Sequence, residues 1–334
     1  VRKQTDSKLL PRFDYPKSAL LGNLSPAHVA AVGESMTQPV TIENDAIQMD
    51  VWPNLGGKIS SLVDKADQFE MLFSYPVEYP VEQSQYDLPY TKGWYAGWDE
   101  CFPAIAASKY VGRPYDGIPV PDHGEIWSLP TTAVPTKDGI TTVWHGLRFG
   151  YRLTRKLYLE GASVIAQYTL INLAPFDFRF IWALHPLMSM SVPVEIDLPG
   201  NPRFRLSHDA SYHEIQQEFV WPVTEEEGQN LSRPETLPAK GAWKAFSSLP
   251  ITSPIVVRYP TRSRRVTMDY RSEDGMTAYW GIWVNTGGWG AHRHFSIQPT
   301  TGRFDQIDRA TKDGSVGCVA SMGKRVWSIR LSLS

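Results

Sequence analysis

The chain has 334 residues and a formal net charge of -2, with 42% hydrophobic and 20% charged residues. That composition supports a sizeable core and excludes wholesale disorder. It also excludes a protein built to neutralise many phosphates, so no nucleic-acid partner is expected. The basic run "RYPTRSRR" (258–265) reads as a solvated strand or turn. No apolar stretch approaches the roughly 20 residues that span a bilayer, so no membrane partner is expected, and the expected location is soluble, cytoplasmic or periplasmic. Two cysteines, Cys101 and Cys318, exclude a framework of disulfides but leave room for a single bridge.

Residues 1–40 read as an irregular leader with one short helix candidate, "SPAHVAAVGE", capped by Ser25 with Pro26 at the first helical position. From about Ile42 the period changes to two. "AIQMDVW" and "GKISSLVD" are strand candidates on either side of a turn at Asn54, Gly56 and Gly57. In "YRLTRKLYL", Tyr151, Leu153, Leu157 and Leu159 share one face, while Arg152, Thr154 and Lys156 point the other way. Further strands are expected in "SVIAQYTLIN", "FRFIWALH", "SPIVVRY", "RVTMDY" and "AYWGIWVN". The last is "RVWSIRLSL", where Trp327, Ile329, Leu331 and Leu333 alternate with polar residues. Long amphipathic helical patterns are almost absent, and 26 prolines and 25 glycines punctuate short β runs. The expected fold is all-β: one large antiparallel β-sandwich over residues 41–334.

Among 12 tryptophans, Trp182, Trp280, Trp283 and Trp327 sit within strand patterns and read as core. Trp94, Trp98, Trp127 and Trp289 are expected in Gly-, Pro- and charge-rich loops, where flat apolar rings beside hydrogen-bonding groups suit sugar rings. Four segments concentrate polar side chains: "GWYAGWDECFP" (93–103), "PDHGEIW" (121–127), "IWALHPL" (181–187) and "HRHFSIQPTTGRFDQIDRA" (292–310). Asp99, Glu100, Glu125 and His294 are candidate hydroxyl-gripping groups within them. His292 and His294 at i, i+2, joined by His123, offer three nitrogens to a zinc ion. No carboxylate or cysteine pattern supports that set, so no metal and no other cofactor is expected. Chelator treatment is expected to leave folding and ligand binding unchanged. No G-x-S-x-G elbow marks a serine nucleophile.

In order, "DHGEIW", "NLAPFDFRFIWALHPL" and "FSIQPTTGRFDQIDRA" resemble the galactose mutarotase-like family, the aldose 1-epimerases and their relatives. The likeness runs over residues 42–333. It implies a β-supersandwich and, as partner, a small carbohydrate whose anomers are interconverted by acid–base opening and closing of the ring. By this resemblance His185 matches the family's acid and His123 a histidine that holds the substrate. The family's catalytic glutamate falls on Gln298, and "GWDECFP" lies where the family keeps an arginine-bearing segment. A primary amide accepts no proton at accessible pH and serves only in hydrogen bonds. Three readings follow: a sugar-binding protein without turnover, another carboxylate (Asp99, Glu100, Glu125 or Asp305) as base, or an inactivating exchange at Gln298. In all of them His123, His185 and Gln298 are expected in one pocket, with Asp99 or Glu100 lining the same cleft and Trp98, Trp127 and Trp289 as ring platforms.

Overall fold

The computed structural model describes residues 38–74, 85–208, 214–224 and 228–334. The expected helix at Ser25 and Pro26, and nearly all of the leader, lie outside these residues. The alternating sequence folds into antiparallel sheets, as the period of two dictates. Among the described residues a twelve-stranded sheet runs, edge to edge, through Val40–Glu43, Ile47–Trp52, Lys58–Asp64, Trp98–Cys101, Ala183–Pro186, Arg293–Thr300, Tyr279–Thr286, Ala242–Ser247, Arg203–His208 and Glu214–Val220. Two short strands, Phe69–Glu70 and Met188–Ser189, pair off this path. A second, eight-stranded sheet is built around Lys324–Leu333, Ser163–Asn172, Tyr151–Glu160 and Gly139–His145. The helix Ile307–Asp313 is short, and no helix among the described residues is long and apolar enough to cross a membrane.

The two sheets meet across a buried layer. Tyr151, Leu153 and Leu157 face it from the second sheet, as the alternation requires. Arg155 shares their parity and is fully buried with them, donating from Nη1 to Glu100 Oε1 of the first sheet at 3.2 Å. "FRFIWALH" does not form one strand. Phe178–Phe180 pairs with Gly317–Val319, whereas Ala183–Pro186 joins the large sheet. Between them Ile181 N–H donates to Pro103 and Trp182 N–H to Thr301 Oγ1, so the chain crosses from one sheet to the other there. In "RYPTRSRR", Arg258, Arg262 and Arg264 pair with Asp197, Asp67 and Asp64. Their charge is met within the chain.

Candidate active site

Strand register assembles the site. His185 lies opposite Asp99 on the neighbouring strand, and Ala183 opposite Cys101. On the other side Ala183 pairs with Thr300 and Met188 with Phe295. Continuing that antiparallel register brings His185 opposite Gln298. Pleating then puts Asp99, Cys101, His185 and Gln298 on one face of the sheet, and Trp98 and Glu100 on the other. Lys244 and Trp283, paired in the adjoining strands, share that first face, because Trp283 pairs with Ser296, two residues from both His294 and Gln298.

His123 arrives from a loop. Its amide donates to Ile105 at 2.8 Å and the Glu125 amide donates to Phe102 at 2.7 Å, which pins the loop beside the strand that carries Cys101. His123 itself holds a left-handed φ of 58° and Gly124 one of 75°. At Gly124 a Cβ would stand 2.1 Å from the Phe102 carbonyl oxygen, so only glycine fits. The His123 imidazole stacks on Tyr90 at 3.9 Å between centroids and meets His185 edge-on at 4.9 Å.

Of these groups Tyr90, His123, His185, Lys244 and Trp283 line a cavity of about 330 Å³, within the range of small-molecule sites. Tyr90, Tyr95, Leu187, Trp283 and Trp289 form apolar walls. His123, His185, His294, Lys244, Asp122 and Asp305 supply its polar groups. The Asp122 carboxylate is 2.9 Å from His123 Nδ1. Burial pulls that carboxyl up, but the hydrogen bond and charge of His123, with backbone amides, outweigh it and hold it below the usual carboxylate range. An ionised carboxylate only accepts, so Nδ1 carries the proton and Nε2 faces other partners. Burial, with the positive charge of His123 and Lys244 adding to it, holds His185 well below the ordinary histidine range, and its Nδ1 has no hydrogen-bond partner.

Of the sequence-derived candidates, His123, His185, His294 and Trp289 line the cavity. Gln298 sits just behind it, fully buried, its Oε1 accepting from Lys244 Nζ and its Nε2 without a partner. Asp99 is turned toward Lys58 and Tyr90, whose hydroxyl donates to it at 2.7 Å. Glu100 and Trp98 belong to the layer between the sheets. There Glu100 also accepts from Tyr168 at 2.6 Å and from the Trp182 indole at 2.9 Å. Burial lifts its carboxyl against the pull of Arg155. Glu125, fully buried, is held by the Tyr86 and Tyr151 hydroxyls and the Arg148 amide. Trp127 donates to the Asp122 carbonyl from behind the cavity wall. Thus Trp98, Asp99, Glu100, Glu125 and Trp127 support the site rather than line it: parity turns Trp98 and Glu100 away, loop packing turns Glu125 and Trp127 away, and Asp99, on the cavity face, is held off by Lys58 and Tyr90. Of the four alternative carboxylates only Asp305 reaches the cavity. Its Oδ1 is 3.3 Å from Lys244 Nζ, within ion-pair range, yet off the hydrogen-bond line and so still able to accept.

Lys244, Tyr90, Tyr95 and Leu187 were not singled out from sequence, and Trp283 read as core. A lysine inside "AWKAFS", an otherwise apolar strand, was the available signal. His292 and His294 do not join His123 as a ligand set. The Trp283 indole donates to His294 Nε2 at 3.2 Å, which occupies that nitrogen. Among the described residues, the histidine, cysteine and carboxylate group close enough to hold a metal ion is Cys101, His123 and His185.

Burial pushes His294 down from 6.5 to about 3, with His292 adding to the shift. The unfolded chain therefore binds the proton that the folded chain refuses. The stability this neutral ring preserves is complete above about pH 6.5 and is lost as pH falls toward 3. His294→Gln keeps an acceptor for the Trp283 indole and removes the titration. It is expected to flatten acid destabilisation by about 1 kcal/mol between pH 6 and 5, read from urea midpoints. An unchanged slope refutes this.

Solved structures share this architecture. A protein of Synechocystis sp. PCC 6803 superposes with a TM-score of 0.67 at 14% identity, over 90% of this chain and 98% of its own. A galactose mutarotase-like protein of Lactobacillus casei ATCC 334 gives 0.64 at 15%, over 89% and 100%. Another, from Clostridium acetobutylicum, gives 0.66 at 12%, over 89% and 95%. The chain has the galactose mutarotase-like fold. No family model and no curated protein matches the sequence. In this fold the cavity opens on the large sheet, where the register gathers His185 and Lys244 around the loop-borne His123.

Proposed function

We propose that the cavity binds a monosaccharide or sugar derivative and interconverts its anomers. The observation that carries this reading is the meeting of two imidazoles, His123 and His185, in an aromatic-walled cavity. Opening a hemiacetal ring needs a proton taken from the anomeric hydroxyl and one given to the ring oxygen; closing it reverses both transfers. His185, buried and with a free Nδ1, takes the first proton. His123, whose Nδ1–H is held by the Asp122 carboxylate, delivers the second and is stabilised by that carboxylate when positive. This departs from the roles that the family resemblance implies, under which His185 is the acid, His123 holds the substrate and the base falls at Gln298. Asp305 and Lys244 grip hydroxyls, and Tyr90 and Trp283 cover the apolar ring face.

The second reading is binding without turnover. It is favoured by Gln298, an amide locked to Lys244 where the resemblance places a base. Freshly dissolved α-anomers of a panel of aldoses, followed by NMR with chelator present, separate the two. Accelerated exchange for at least one sugar supports the enzyme. Measurable binding with no acceleration across the panel leaves the binding protein.

A further inference from the structure

We infer that the inner end of the cavity is a zinc site formed by the Cys101 thiolate and one nitrogen each of His123 and His185, with a water as fourth ligand. The three donor atoms lie within 4.8 Å of one another. A tetrahedral zinc ion with ordinary Zn–S and Zn–N bonds sets its donors roughly 3.3–3.7 Å apart, so small side-chain rotations close the set. The fold, not chance, brings them together. Cys101 and His185 are diagonal neighbours on one face of paired strands, and His123 is fastened to the same segment through Ile105 and Phe102.

Two further observations point to a bound ion. First, the Asp122 carboxylate at His123 Nδ1 leaves Nε2 for a metal. A carboxylate behind a ligating histidine is the usual outer partner that fixes its tautomer. Second, His185 is 6% exposed, and its Nδ1 has no partner. A thiolate with two imidazoles selects zinc over magnesium or calcium, which take oxygen ligands. Three protein ligands and one open position are the layout of a catalytic rather than a structural zinc. Uptake forms the Zn–S bond and releases the Cys101 thiol proton to solvent; nothing is oxidised or reduced. The ligand set differs from the His292 and His294 set considered from sequence, and it departs from the expectation that no metal is bound. It does not depend on the sugar reading, although zinc and proton transfer compete for the same rings.

The test uses the full chain, stripped with chelator and dialysed, then titrated with zinc(II) or cobalt(II). One zinc per chain should persist through gel filtration. Cobalt should give the intense visible bands of a tetrahedral ion together with a near-ultraviolet thiolate charge-transfer band. Cys318→Ser should preserve both. Cys101→Ser should abolish the sulfur band and weaken binding about 100-fold or more, and Asp122→Asn should weaken it about 10- to 100-fold. No retained zinc, a cobalt spectrum without the sulfur band, or equal retention by Cys101→Ser overturns the site. If Cys101→Ser does not fold, the cobalt spectrum of the unaltered chain decides alone.

Discussion

Glu100→Ala is expected to destabilise the fold by about 3–5 kcal/mol while leaving the cavity's ligand affinity unchanged in the molecules that remain folded. Glu100 and Arg155 are both essentially inaccessible to solvent and face each other between the sheets. Removing the carboxylate strands the guanidinium in the core, together with the Tyr168 hydroxyl and the Trp182 indole that now donate to it. Each unpaired buried donor has a desolvation cost that its former bond had offset. Arg155 cannot swing to water, since it is enclosed by the Trp144 ring and held at the Gly57 carbonyl. Replacing both partners at once, Glu100→Leu with Arg155→Met, should recover much of the loss, because a paired buried charge is often no better than a well-packed apolar pair. Denaturant midpoints of the two singles and the double measure this. A stable Glu100→Ala that has lost ligand binding would return Glu100 to the role of substrate contact.

That residue also shows where the sequence stops being informative. The alternation in Tyr151–Leu159 was legible because, Arg155 and Tyr158 aside, apolar and polar residues separate by parity. The strand order was not legible from such runs, since the large sheet places Ala183–Pro186 between Trp98–Cys101 and Arg293–Thr300, its partners from distant parts of the chain. In "WDEC" all four side chains are buried, and parity alone does not say which pair faces the cavity. The answer depends on Arg155, a charge on the apolar parity of a strand, 55 residues away from Glu100 in the chain. Nothing local to Glu100 announces that partner. His123 and His185 were legible as motif residues, because a histidine at a loop tip or a strand end is poorly explained by packing. Lys244 was not, because its partners, Gln298 and Asp305, are 54 and 61 residues away. Buried ion pairs are read from three-dimensional neighbours, not from period.

The remaining large effect concerns which residue takes the proton in the proposed reaction. His185→Gln should lower kcat/KM for anomer exchange by about 10²- to 10⁴-fold, the usual worth of a positioned general base. Gln298→Glu, which restores the acidic residue the resemblance calls for, should gain almost nothing. The side chain at that position is fully buried and held by Lys244 Nζ. A carboxylate there would be tied to Lys244 in a buried ion pair, in competition with Asp305, and would stand behind the cavity wall, out of reach of a hydroxyl held in the cavity. The exchange should instead stabilise the fold modestly, since it removes the unpartnered Gln298 Nε2. Adding Lys244→Met to Gln298→Glu frees the carboxylate but leaves it without the lysine's charge, in a site that then favours its neutral form. Single-turnover and steady-state anomer exchange, both with chelator present, compare these variants with the unaltered chain. A large gain from Gln298→Glu, with His185→Gln unaffected, would place the base at residue 298 and make the present amide the reason for inactivity. A loss confined to His185→Gln would place it at His185, with Gln298 acting only through its hold on Lys244.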